Sequence, residues 1–340
     1  MTSFKIFSRT LAFCSAALAV SAFARTSSFS FNQDVAGDDF WNALANYTSN
    51  SSELDAMAAS WTNQVVANAG SNSVNLWIEN NFTSAWPAPE GTGITAVNVF
   101  FNGVNVSVKS GGVLGLCYGR TSFDTSTGCG TLTVNNGGSL TVEGTGKVYS
   151  NDFFFNENYE MVTTVKDEAY FYTRGTTRIG AAANTTSQTL RIVGSKVQRA
   201  YVRNLNFAGA AGTSAANAMG GKLEFVADAG GISTLENESA VTAFSGAVSV
   251  DFTKLLWDES WGDEHVFTLL SSTSTASESL LADWVANSDT LGEIIGADGI
   301  FSNDRTNLYV TVSKIPEPSA FAALFGILAV ACAVSVRRRN

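Results

Sequence analysis

Histidine occurs once in the 340 residues, as His265, proline and cysteine four times each, and charged side chains make up only 15% of the chain. One imidazole leaves a Cys/His metal site without enough ligands, and no Asp-x-Asp-x-Asp-Gly run supplies a calcium loop. His265 sits between Asp263-Glu264 and the apolar run Val266 to Leu270, the setting of a surface or cap histidine and not of a triad base. The glycine-rich stretches Gly209 to Gly212 and Gly220-Gly221 lack the Lys and Ser/Thr that a phosphate loop needs, and read as turns. Positive charge is also scarce, with 20 Lys+Arg against 30 Asp+Glu for a net charge of −10. Lys5, Arg9 and Arg337 to Arg339 lie at the two ends, so the body between them is more acidic still. Such a body repels nucleic acid and anionic lipid, and nothing in it calls for a cofactor.

Long apolar runs are confined to the ends. At the N-terminus the basic Lys5 and Arg9 precede an apolar core from Leu11 to Val20, and Ala22-Phe23-Ala24 offers the small-x-small pattern of a signal-peptidase site. Cleavage after Ala24 starts the mature chain at Arg25, following export through the Sec machinery. Cys14 is no lipidation site, because the bulky Phe13 precedes it.

At the C-terminus, Ile315-Pro316-Glu317-Pro318-Ser319 leads into an uncharged stretch from Ala320 to Val336, then Arg337-Arg338-Arg339 and Asn340. At about 1.5 Å rise per residue that stretch reaches across a thin hydrocarbon core as a helix. The arginines, held inside by the positive-inside preference, leave everything before Ala320 outside. The ordered trio of Pro316, Glu317 and Pro318, a short span and the basic tail resembles the sorting signal of the PEP-CTERM family, over about Lys314 to Asn340. The resemblance implies recognition by a membrane-embedded exosortase, cleavage close to the motif and a transient stay in the inner membrane. It further implies release or attachment at the cell surface or extracellular matrix of a Gram-negative bacterium that makes exopolysaccharide. A plain single-pass anchor with a proline-stiffened stalk is the alternative.

Between the ends the hydrophobic period changes along the chain. Leu54, Met57, Ala58, Trp61 and Val65 follow a helical spacing, with Ser52 and Asp55 resembling a capping box, and a shorter helix is expected from Asp39 to Asn46. Residues 25–90 are therefore expected to form a helical N-terminal cap, with Trp41 and Trp61 as packing residues.

From residue 91 the period is two: Val97 to Phe100, Val104 to Val108, Thr131 to Val134 and Ser139 to Val142 are short alternating strands. Gly130-Thr131-Leu132-Thr133-Val134-Asn135-Asn136-Gly137 is nearly repeated by Gly138-Ser139-Leu140-Thr141-Val142-Glu143-Gly144. Further strands are expected at Ala169 to Arg174, Thr189 to Val193, Lys196 to Val202, Lys222 to Val226, Ala240 to Phe244 and Ala247 to Phe252. Short strands closed by glycine turns, again and again, predict a mainly β fold, a parallel β-helix or β-solenoid over residues 91–313, with a β-sandwich as the alternative. In texture this region resembles the β-helix passengers of autotransporters. From about residue 257 a C-terminal cap on the same body is expected, with strands at His265 to Leu270 and Asn307 to Val312. Short helices are expected there at Ser279 to Val285 and Leu291 to Ile295.

Chemistry-bearing residues are dispersed. Inverting hydrolysis needs two carboxyls about 6.5–9.5 Å apart, which neighbouring strands about 4.8 Å apart can hold. Asp124, Asp152, Asp167, Glu168 and Glu224 qualify by type, and Arg174 with Arg178 could serve a lyase, but neither set forms a tight constellation and solvated charges on turns explain them better. The sequence thus points to an exported, exosortase-sorted structural protein of the surface or matrix, associated with exopolysaccharide. The alternative is a carbohydrate-active β-helix enzyme, a polysaccharide lyase or hydrolase.

Once the terminal segments, with Cys14 and Cys332, are removed, Cys117 and Cys129 are the cysteines left, among Gly115, Gly119, Gly128 and Gly130. In an oxidising compartment a disulfide is the natural expectation, contributing about 2–3 kcal/mol for so short a loop; two free thiols or half a metal site are the other possibilities. Non-reducing peptide mapping is expected to find Cys117 joined to Cys129, and free alkylation of both in the folded, oxidised protein overturns the bridge.

Overall fold

The computed structural model describes residues 98–102, 104–115, 131–135, 137–155 and 158–314, together with strands at 26–31, 55–59, 64–68, 73–78 and 81–83. The fold is mainly β, with strands in two large sheets. Neighbour to neighbour, the first sheet runs Thr26–Phe31, Ser73–Ile78, Val104–Val108, Ser139–Val142, Met161–Lys166, Ser187–Val193, Gly220–Val226, Ala247–Asp251 and Gly292–Ile295, all parallel. The second runs Asp55–Ala59, Gln64–Asn68, Asn98–Asn102, Leu132–Asn135, Phe153–Phe155, Tyr170–Ile179, Arg199–Phe207, Leu235–Asn237, Glu264–Ser272, Asn307–Ser313 and Gly299–Asn303. Its pairing is parallel except at the two ends, where Asp55–Ala59 and the last two strands pair antiparallel. Tyr170–Ile179 is long enough to pair with Lys147–Ser150 along its first half and Phe153–Phe155 along its second.

The alternation of side chains turns this register into continuous buried rows. In the first sheet Val106, Leu140, Thr163, Leu190, Leu223 and Val248 stand over one another, and Val108, Val142, Val165, Ile192, Phe225 and Val250 form a parallel row, every one of them buried. In the second sheet Val148, Phe171, Ala200, Leu235 and Leu270 do the same. All but Thr163 belong to one hydrophobic core that includes residues from Phe101 to Val312. Each such large apolar side chain contributes about 1.5–3 kcal/mol by leaving water. Buried Asn237 makes its bonds internally: it accepts from Ser272 Oγ at 2.9 Å and donates to the Arg203 carbonyl at 3.0 Å.

Near the C-terminus the helix Glu278–Ala286 turns Leu281 and Trp284 into this core. The Trp284 ring meets Phe244 and Phe301 edge to face, at 5.8 and 5.2 Å, and its Nε1 donates to the Gly246 carbonyl at 2.9 Å. A helix this short is marginal alone, so its tryptophan contacts hold it in place.

Several expectations are corrected. The helical spacing from Leu54 to Val65 does not give a helix over its described part: Asp55–Ala59 and Gln64–Asn68 are antiparallel strands, and Gln64–Asn68 also pairs with Asn98–Asn102. An open sheet edge offers backbone pairing to any adjacent segment, and that outweighs a weak helical preference. Leu291 to Ile295 is likewise no helix; Gly292–Ile295 is the last strand of the first sheet, after a turn of helix at Ser288–Leu291. Gly220-Gly221 opens a strand instead of forming a turn, because a Cβ on Gly221 would lie 2.4 Å from the Ile179 carbonyl oxygen. Thr133, which alternation with Leu132 and Val134 would set on an outward, solvent-facing side, is buried at 3%. It lies between Phe100 and Phe154 in the register, and the Arg178 guanidinium sits 4.8 Å from the Phe154 ring, so the outer surface there is itself covered.

No helix among the described residues is long and apolar enough to cross a membrane. The signal segment 1–24, the expected helix at 39–46, the Cys117 and Cys129 loop, and the sorting signal from Ile315 onward lie outside the described residues.

The contrast between adjacent positions is measurable by urea unfolding of the full chain. Leu140→Asp buries an unpaired charge and is expected to cost several kcal/mol, and Thr133→Asp falls on the same side. Thr141→Asp, on the outer face, is expected to change stability by about 0.5 kcal/mol or less. Equal tolerance at all three positions overturns the assigned register.

Candidate functional site

The outer face of the second sheet carries the most organised surface among the described residues. Inward-facing Val148, Phe171, Ala200, Leu235 and Leu270 alternate with Tyr149, Tyr172, Tyr201, Glu236 and Ser271, which therefore form one outward row in register. Two residues back along the strands, Lys147, Tyr170 and Arg199 form a second row beside the first.

These tyrosines face outward yet are nearly covered, at 8% exposed for Tyr149, 7% for Tyr172 and 5% for Tyr201, because they cover one another. Tyr172 and Tyr201 stack with centroids 4.5 Å apart and planes 5° from parallel; Tyr149 tilts against Tyr170 at 5.1 Å. Arg199 lies across the stack, its guanidinium carbon 4.3 Å from the Tyr201 centroid and 5.3 Å from that of Tyr172. Its Nη1 donates to the Tyr170 hydroxyl at 3.1 Å and its Nε to Glu236 Oε2 at 3.2 Å. Burial alone would lower the Arg199 pKa, but the bonds to Tyr170 and Glu236 outweigh it and hold the guanidinium above its ordinary value. The cation is permanent and fixed in orientation.

Beyond Tyr201 the row steps down from ring to carboxylate to hydroxyl, and the step leaves an open groove of about 550 Å³. Its walls include Tyr172, Tyr201 and Arg199 on one side and Glu236, Glu238, Ser271 and Thr273 on the other. The volume lies within the usual range for a small-molecule site. Aromatic edges, a guanidinium, two carboxylates and two hydroxyls suit non-covalent recognition of a ligand rich in hydroxyl groups.

The carboxylates singled out by sequence do not join this groove. Asp152 stands at the corner before Phe153–Phe155, where Oδ1 accepts from the Thr176 amide at 2.6 Å and steadies the irregularity between Thr173 and Thr176. Asp167 occupies a turn at φ 60°, and Glu168 is exposed beside it. Glu224 belongs to the first sheet, where it is bonded to Arg191 and lies 3.6 Å from Lys222 Nζ. Arg178 stacks on Phe154, and Arg174 Nη1 is buried without a hydrogen-bond partner. Asp124 is outside the described residues. Among the described residues, no group of three His, Cys, Asp or Glu side chains is placed to hold a metal ion.

Sequence reading missed the groove because its residues come from separate strands. One signal was present: Lys147-Val148-Tyr149, Tyr170-Phe171-Tyr172 and Arg199-Ala200-Tyr201 repeat a long polar residue, an apolar one and a tyrosine.

His265 lies apart from the groove, stacked on Trp261 with centroids 4.0 Å apart and set edge-on to Phe267 at 4.6 Å. Burial lowers its pKa below the ordinary value, partly opposed by the Asp258 charge.

No family model matches this chain, and neither curated proteins nor solved structures show a significant likeness to it.

The His265 shift sets a pH dependence. Because the folded pKa is depressed, the unfolded chain binds the proton more readily, so the contribution is fully present above the unfolded value of about 6.5 and is lost as pH falls below it. Asp228 and Asp304, whose pKa values are lowered by hydrogen bonds that outweigh desolvation, lose their contributions only below about pH 4, the unfolded aspartate range. The midpoint of thermal unfolding is expected to fall between pH 7.5 and pH 5.5, and His265→Phe, which keeps a ring on Trp261, to flatten that decline. An unchanged slope in the variant removes His265 as the cause.

Proposed function

We propose that this chain is an exported, exosortase-sorted structural protein of the cell surface or extracellular matrix, built as a β-solenoid that contacts polysaccharide along its outer face. The sorting part of the reading rests on the signal segment ending at Ala24 and on Pro316, Glu317 and Pro318, the span 320–336 and Arg337 to Arg339. The solenoid part is supported by parallel pairing that repeats in both sheets, with touching side chains such as Asn105 and Ser139 34 residues apart and Asn237 and Ser272 35 apart. Parallel pairing also differs from the antiparallel sheets of the sandwich alternative. In this reading the Glu278–Ala286 helix and the terminal hairpin close the C-terminal end of the coil stack, which an uncapped solenoid would leave open.

The observation that carries the polysaccharide contact is the row of Tyr149, Tyr172, Tyr201 and Glu236 with Arg199 laid across it. The stacked rings hold Arg199 and Glu236 rigid on the sheet, so these groups can meet sugar hydroxyls without losing side-chain freedom. One observation favours the enzymatic reading, since Arg199, Glu236 and Glu238 share the groove. Glu236 is already engaged by Arg199, however, which suits a binding role better than proton transfer.

Mass spectrometry of material recovered from the extracellular matrix of the native host is expected to show an N-terminus at Arg25 and no peptide from Ala320 to Asn340. Replacing Pro316 and Pro318 with alanine is expected to leave precursor in the inner membrane. An intact C-terminal segment in the matrix-associated protein overturns the sorting reading, and release of reducing or unsaturated sugar ends by the purified protein favours the enzyme.

A further inference from the structure

We infer that the groove between Tyr201 and Thr273 is a subsite for an uncharged polysaccharide, which it selects over chains bearing carboxylates. The inference rests on the reading that this face contacts polysaccharide, and adds where and of what charge. Arg199 is the cation of the groove, and Glu236 holds it at 3.2 Å, so the pair is close to neutral. A polyanion would therefore meet Glu238 and a guanidinium whose charge is already matched. It would also approach a chain of net charge −10.

Neutral sugar residues suit the lining instead. The carboxylates of Glu236 and Glu238 accept from hydroxyls, and the Ser271 and Thr273 hydroxyls in the same groove can donate or accept. Spacing favours a polymer over a single sugar. Tyr172, Tyr201, Glu236 and Ser271 occupy four successive rungs, and rungs about 4.8 Å apart are close to the length of one pyranose residue, so a chain crossing the strands presents roughly one sugar per rung.

The test is calorimetric titration of the full chain in mild detergent, near physiological ionic strength, with mixed-linkage β-glucan, dextran, galactomannan, alginate and glycol chitosan. At least one of the three neutral glycans is expected to bind, with alginate at least tenfold weaker. Ser271→Trp fills the groove from an outward-facing position and is expected to weaken binding at least tenfold. Thr141→Trp, on the outer face of the other sheet, is expected to leave it unchanged. Should Ser271→Trp shift the unfolding midpoint, Glu238→Trp at the exposed rim serves as the second block. Neutral-glycan binding that survives the folded blocking variants, or binding confined to the charged polymers, overturns the inference while leaving polysaccharide contact standing. Binding of none of the five overturns both.

Discussion

Each parallel strand hydrogen-bonds to one that the chain laid down a few dozen residues earlier, and side chains change face at every residue. One register therefore decides at once which side chains are buried and which rows form outside. Leu140 is enclosed because Val106 and Thr163 flank it, and Tyr172 is nearly covered because Tyr149 and Tyr201 flank it. A slip of one residue would expose the first and bury the second. The hydrophobic core and the tyrosine row are two faces of the same pairing, and neither can change without the other.

The outer row shows which interactions dominate there. The Arg199 and Glu236 pair is partly exposed and worth about 0–1 kcal/mol, as surface ion pairs usually are. Tyrosine stacking contributes about 0.5–1.5 kcal/mol for each aromatic pair, and Arg199 over the rings about 0.5–1 kcal/mol more. The rings thus organise the surface, while the charges orient Arg199 and Glu236 towards the groove. A site assembled this way is rigid before any ligand arrives, because its side chains are held by their neighbours on adjoining rungs.

Ends are the weak points of a stack of parallel strands, since the last strand leaves backbone groups without partners. At the C-terminal end the second sheet turns antiparallel, with Asn307–Ser313 between Glu264–Ser272 and Gly299–Asn303, and Trp284 fills the space between Phe244 and Phe301. Asp304 ties this hairpin together by accepting from the Thr306 and Asn307 amides and the Tyr309 hydroxyl. Aromatic packing and a turn clamp thus do here what a further strand does elsewhere.

Period and punctuation fixed much of this in advance. The alternation at Val104 to Val108 and Ser139 to Val142, with glycines between, specified strands whose inward residues are Val106, Val108, Leu140 and Val142, and the structure buries all four. Helical spacing at Leu54 to Val65 misled, since a short apolar segment fits either period and an adjacent sheet edge chose the strand. Thr133 misled for a related reason: alternation says which face a residue takes but not whether that face is covered, and Phe154 with Arg178 covers it. The groove was the least legible, because Tyr172, Tyr201, Glu236 and Ser271 are neighbours only through register. Local chemistry, strand by strand, was thus determined by the sequence itself. Which distant residues share a row was decided only by tertiary pairing, since backbone hydrogen bonding is blind to side-chain identity and just the summed burial of whole rows selects one alignment.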